Sequence, residues 1–179
     1  MSSPRVGISR CLLGVEVRYD GGHKRDPVLV DLVGPRVEWV EVCPEVDVGM
    51  GVPREPVQLV RQPAGPPGTP GVRLVGVSSG TDWTERMTAW ARAKVEELRG
   101  LDLSGFVLKA RSPSCGLRDV PVAGGAADSL GGRGVFAQAL VEALPGLPVE
   151  EEERLRDPAV RAAFLEQVFA YAARSRPRG

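Results

Sequence analysis

Three short β-rich runs in this 179-residue chain each lead into a cysteine, and together they account for every cysteine present: RVGISRC at 5–11, VEWVEVC at 37–43 and GFVLKARSPSC at 105–115. Between such runs lie segments of helical period, the alternation that predicts a mainly parallel sheet covered by helices. In an open parallel sheet the carboxyl ends of the strands share one edge, where loops converge and ligands bind. If their strands are parallel neighbours, Cys11, Cys43 and Cys115 therefore meet in one pocket although they are remote in sequence. The length suits one domain with a full hydrophobic core. The expected fold class is a single α/β domain with Rossmann-like layering.

Strands are predicted at 5–9, 37–42, 72–78 and 105–110. Residues 18–24, RYDGGHK, read as a turn, and 26–33 as a short helix with Asp26 at its N-cap and Pro27 at its first position. The clearest helix is 81–100, where Thr81, Thr84 and Glu85 offer caps, Trp83, Met87, Trp90, Val95 and Leu98 form an apolar stripe, and Gly100 stops it. Two more helices are expected at 134–144 and at 157–175, the latter opened by Asp157 and Pro158. Residues 49–71 are so dense in proline and glycine that they predict a long surface loop, a candidate lid, without a central strand. The acidic run VEEEER at 149–154 reads as a solvated face or linker.

Composition is 42% apolar and 26% charged with a formal net charge of zero, so no global attraction to nucleic acid or anionic lipid is expected. With no secretory signal and no apolar run long enough to cross a bilayer, the reading is a soluble, cytoplasmic protein. A reducing cytosol disfavours disulfides. The thiols are then inert core residues, a reactive group, or ligands. No CxxC pair exists, so neither a zinc ribbon nor a thioredoxin-type redox pair is supported. Three thiolates would leave one position open on tetrahedral zinc or on a cubane iron–sulfur cluster, and ligand softness does not choose between them.

Around the cysteines stand other candidates. Glu45 follows Cys43 by two residues across Pro44, and is either a surface glutamate or a general acid or base beside a metal. Ser112 and Ser114 flank Pro113 ahead of Cys115, as turn caps or substrate contacts. Lys109 and Arg111 could supply positive charge. Asp20 is a turn residue that could reach the same edge. His23, the only histidine, has no partner at a fixed spacing. GGRG at 131–134 precedes a helix whose N-terminus could hold an anionic substrate group.

The blocks SRCLLGVEVRYDGGHK, VCPEVDVGMGVPREPVQLV, KARSPSCG and GRGVFAQAL together resemble the DUF523 family, which includes the thiouracil desulfidases, over roughly residues 5 to 149. The resemblance implies an α/β domain at 1–149 followed by a C-terminal helical tail at 150–179. It also implies a [4Fe-4S] cluster held by Cys11, Cys43 and Cys115 with one open iron, and a thiolated pyrimidine as small-molecule substrate. Glu45 would be the catalytic carboxylate, assisted by Ser112 or, second, Ser114, with Asp20, Ser114 and Lys109 contacting substrate. The implied chemistry is hydrolytic without net redox change. After Gly116 the chain runs LRDVPVAGGAADSLGG where relatives carry a tyrosine-aspartate-glycine stretch, a departure that bears on substrate specificity. Competing readings are a non-enzymatic iron–sulfur protein that carries sulfur or senses redox state, and a three-cysteine zinc hydrolase. Sequence says nothing of oligomeric state.

Overall fold

Alternating apolar positions along the strands decide which faces are covered. The computed structural model describes residues 3–63, 66–67, 71–124 and 129–175. Its strands are β1 (Arg5–Ser9), β2 (Glu38–Val42), β3 (Val57–Arg61), β4 (Val72–Gly76), β5 (Leu103–Leu108), β6 (Val120–Ala123), β7 (Ser129–Gly132) and β8 (Val149–Glu151). The α-helices are α1 (Pro44–Asp47), α2 (Thr84–Arg99), α3 (Val135–Ala143) and α4 (Pro158–Ser175). One sheet has the order β2-β1-β5-β8, the other β4-β3-β6-β7.

The first sheet is parallel throughout, with Ser9 beside Val42 and Ile8 beside Val107. Val6, Ile8 and Val107 face Leu155, Phe164, Leu165 and Val168 on the α4 side. Phe106 and Leu108 point the other way, into Ala91, Val95, Phe136 and Leu140 of α2 and α3. Gly7 permits this closeness: a Cβ there would lie 2.2 Å from the Phe106 ring. A central strand buried on both faces is what a parallel sheet between helix layers requires. The chain steps from β1 to β2 on one side and later to β5 on the other, so the edge beyond β1 is a topological switch point.

Capping matches expectation at two of the three helix starts for which a side-chain cap is expected. Asp26 Oδ1 accepts from the Val28 and Leu29 amides (3.0 and 3.3 Å), although the segment it opens, Val28–Val33, is π-helical. Asp157 Oδ1 likewise accepts from Ala159 (2.8 Å) at the start of α4. Thr81 does not cap α2; Asp82 Oδ1 accepts from the Thr84 amide at 2.9 Å, and a carboxylate there also meets the positive end of the helix.

Two expectations are corrected. Within 49–71, Val57–Arg61 is a strand interior to the second sheet, paired with β4 on one side and β6 on the other. Alternation in VQLVR, with Leu59 buried beneath Met87 and Leu74, outweighs the prolines around it, which fall outside the paired residues. Residues 64, 65 and 68–70 of the proposed lid lie outside the described residues. The acidic run is neither solvated nor a linker: β8 pairs with β5, and Glu150, Glu151 and Glu152 are 9%, 7% and 2% exposed. Each of the three accepts hydrogen bonds or ion pairs, which is the condition for burying a carboxylate. The departure from the family pattern after Gly116 forms β6 and β7, with residues 125–128 outside the described residues. Among the described residues no helix is long and apolar enough to cross a membrane.

A cavity with three thiols at the sheet edge

The carboxyl ends of β1, β2 and β5 border one cavity of about 530 Å³. Cys11 stands two residues past β1, Cys43 one past β2, and Cys115 in the turn that follows β5. All three line that cavity, as do Glu45, Lys109, Ser112 and Ser114. Asp20 and His23 are not among its lining residues. Asp20 closes its own turn, accepting from the Gly22 amide (2.9 Å) and from Arg18 (3.1 Å), and these contacts hold its carboxyl below the usual range. His23 Nδ1 accepts from the Arg25 amide at 3.0 Å.

Each thiol owes its place to local chemistry. Ser9 ends β1; its hydroxyl accepts from the Lys109 amide (3.0 Å) and bonds to Cys115. Pro44 at the first position of α1 sets the turn after Cys43, and the Val46 amide donates to the Cys43 sulfur. Arg111, at φ 59°, turns the chain sharply out of β5. Ser112 Oγ then accepts from the Ser114 and Cys115 amides at 3.2 and 3.0 Å. Gly116 admits the close return of the Ser112 carbonyl, which a Cβ would meet at 2.8 Å. The α3 N-terminus is spent on this same turn: Val135 donates to the Pro113 carbonyl, and Phe136 to that of Ser114 (3.1 and 3.0 Å). It orients the cysteine loop and is not open to an anionic substrate group, contrary to the expectation for GGRG.

Burial raises all three thiols. Cys11 is pushed up to about 11, by burial first and then by Cys43 beside it; Cys43 is raised by burial, and Cys115, the most buried of the three, is raised well above its ordinary value by burial. These are soft donors in a low-dielectric wall, whose thiolates form only with a cation to compensate them. Eight lysine or arginine side chains line the cavity against three glutamates, an excess of positive charge that suits thiolates and an anionic group bound to them. Among the described residues no three Cys, His, Asp or Glu side chains close around a single-ion position. The three cysteines line one common space.

Glu45 is held from both sides. Its Oε1 accepts from Ser114 Oγ at 3.0 Å, and its Oε2 from Arg54 Nε and Nη2 at 2.9 and 2.7 Å. Ser114, the second choice from sequence, is thus the serine that touches the carboxylate, while the lone pairs of Ser112 hold the turn. Lys109 Nζ donates to Glu152 Oε1 (2.6 Å) and to the Ala110 carbonyl (3.0 Å), and Glu152 Oε2 accepts from the Ala110 amide (2.7 Å).

Residues 6–152 match the family described as 2-thiouracil desulfurase. The chain belongs to that family. The uncharacterized protein YbbK of Bacillus subtilis (strain 168) is 31% identical over 150 residues, 84% of this chain and 97% of its own. Among solved structures, the [4Fe-4S]-dependent thiouracil desulfidase TudS superposes with a TM-score of 0.67 at 27% identity, covering 90% of this chain and 99% of TudS. The desulfurase match ends at Glu152, inside the acidic run of which Glu152 and Glu153 line the cavity.

Among the cavity residues that escaped the sequence reading are Arg54 and Glu152. Arg54 sits in a proline-rich stretch, nine residues from the carboxylate it meets. The available signal was its place in GMGVPREPVQLV, one of the blocks carrying the family resemblance. For Glu152 the signal was VEEEE itself, an apolar start followed by carboxylates in a segment of strand length.

Proposed function

We propose that this protein is a non-redox desulfidase that exchanges the sulfur of a thiolated pyrimidine, thiouracil or a thiouridine derivative, for oxygen from water. The observation that carries this is the delivery of three thiols and a hydrogen-bonded carboxylate to one cavity by three neighbouring parallel strands. Membership of the desulfurase family and the likeness to TudS support it.

Cys11, Cys43 and Cys115 would hold a [4Fe-4S] cluster. When bound through three thiolates, such a cluster supplies an iron with an open position and an affinity for sulfur, a Lewis-acid function. The chain's own groups do the rest. The substrate's carbon–sulfur bond gives way to a carbon–oxygen bond, sulfur leaves as sulfide, and no electrons are transferred. Glu45 takes a proton from the attacking water, with Ser114 orienting the carboxylate. A general base so placed is worth about 10²- to 10⁴-fold in rate. Ser112 uses its oxygen to accept two amides, so its own O–H remains a donor toward substrate. Lys109 has two of its three ammonium donors engaged and one left for negative charge on the ring. Asp20 acts on the site through Arg18, which lines the cavity.

Anaerobically loaded protein incubated with thiouracil, without reductant, should yield uracil and sulfide in equal amounts. Glu45→Gln should keep its iron and lose on the order of 10²- to 10⁴-fold in turnover. Loaded protein that frees no sulfide from any thiolated pyrimidine would favour a sulfur carrier or redox sensor, and a fully active Glu45→Gln enzyme would remove Glu45 from the role.

A further inference from the structure

We propose that Arg54 is the positioning residue of this site, the group that fixes which oxygen of Glu45 accepts the proton. The proposal rests on Glu45 being the general base. Glu45 belongs to a helix of four residues, and a glutamate on so short an element keeps three free side-chain torsions unless partners hold it. Arg54 does so with two donors on one atom: Nε and Nη2 both reach Oε2, at 2.9 and 2.7 Å. Oε2 is thereby saturated by charged hydrogen bonds, while Oε1 receives only the Ser114 hydroxyl and keeps a lone pair for water.

The guanidinium is itself anchored. Nη1 donates to the Gly51 carbonyl (2.8 Å) and Nη2 to that of Val17 (2.9 Å), and the Arg54 amide donates to the Tyr19 carbonyl (2.8 Å). Its side chain is 7% exposed. A buried, planar fork tied to two backbone carbonyls cannot swing away, so the carboxylate it grips cannot either. Lysine, a single point charge, has too few donors in the wrong geometry to reproduce this.

The test uses cluster-loaded Arg54→Ala and Arg54→Lys beside Glu45→Gln and the double variant Arg54→Ala/Glu45→Gln, with iron content, kcat and KM measured on each. Misplacing a catalytic group costs about 10²-fold, so Arg54→Ala should lose that much in kcat at unchanged iron content, with KM altered by less than about threefold. Added guanidinium should restore kcat to Arg54→Ala, but not to Glu45→Gln or the double variant. The double variant should be no slower than Glu45→Gln alone, because the two residues act as one unit. Arg54→Lys should recover only part of the loss. The proposal is overturned alone if Glu45→Gln is impaired while Arg54→Ala retains wild-type kcat. It is also overturned if Arg54→Ala loses iron in step with activity and guanidinium restores neither, the outcome of a merely structural role. Full activity in Glu45→Gln would instead sink the general-base reading, and Arg54's role with it.

Discussion

Glu152→Ala should destabilise the protein by several kilocalories per mole, although a run of four glutamates at 150–153 looks like a place where one fewer acid is harmless. The glutamate is 2% exposed and serves two donors, the Lys109 ammonium at 2.6 Å and the Ala110 amide at 2.7 Å. Removing one partner of a buried ion pair costs about 3–5 kcal/mol. Lys109 keeps 19% exposure, so its charge regains some water and the lower half of that range applies. The Ala110 amide, in a buried stretch, is left without an acceptor, which adds about 1–3 kcal/mol. The two losses overlap, giving about 3–5 kcal/mol in all, or roughly 6–20 °C in Tm for a chain of this size. Urea and thermal unfolding of loaded wild-type and variant protein read the difference. Glu152→Gln, which keeps a carbonyl for one donor, should lose about 1–3 kcal/mol. The paired change Lys109→Met/Glu152→Met should recover part of the single-variant loss, because no charge is left stranded. A Glu152→Ala protein within about 0.5 kcal/mol of wild type, the value for an ordinary surface site, would refute the reasoning and restore the solvated reading of the acidic run.

Three further outcomes follow from the same contacts. In Gly134→Ala the new Cβ would lie 2.5 Å from the Ser114 carbonyl, backbone that cannot rotate away; the clash should cost about 1–3 kcal/mol and lower iron retention, read by unfolding and iron content. Ser114→Ala should slow turnover with stability little changed, whereas Ser112→Ala, which strips the acceptor from two amides, should cost about 1–2 kcal/mol of stability; kinetics and unfolding on both variants separate the roles. Burial lifts Cys11 from 9.0 to about 11, so the cluster-free fold keeps a proton that the unfolded chain gives up. That contribution is complete below about pH 9 and lost as pH climbs through 11, about 3 kcal/mol in total; a urea midpoint of cluster-free protein that stays flat over this window would contradict it.

The cysteine-bearing strands were legible because two independent signals coincide: β-branched runs of strand length and a thiol at or beyond the end of each. The helix starts at Asp26 and Asp157 were legible because a carboxylate followed by proline satisfies orphan amides by itself. What sequence missed depends on partners far along the chain. β3 is a strand because β4 and β6 flank it, and nothing within VQLVR and its prolines announces those neighbours. Glu151 and Glu152 read as solvated because their donors, Lys109, Ala110, Leu117 and Arg118, lie over 30 residues away. The α3 amides looked available to a ligand because the carbonyls that take them, at 113 and 114, come from another loop. Sequence pointed to the cysteines, Glu45, Lys109 and the two serines that line the cavity and also to Asp20, which does not, and said little about what holds each one still.

Metal and labile-sulfide analysis of anaerobically reconstituted protein, run beside Cys11→Ser, Cys43→Ser and Cys115→Ser, bears most directly on the claim that these thiols share one inorganic group. Wild type should carry iron and acid-labile sulfide in the ratio of a [4Fe-4S] cluster, and each single substitution should sharply reduce both. Stoichiometric zinc without sulfide, or a cluster that survives the loss of any one of these cysteines undiminished, would contradict it.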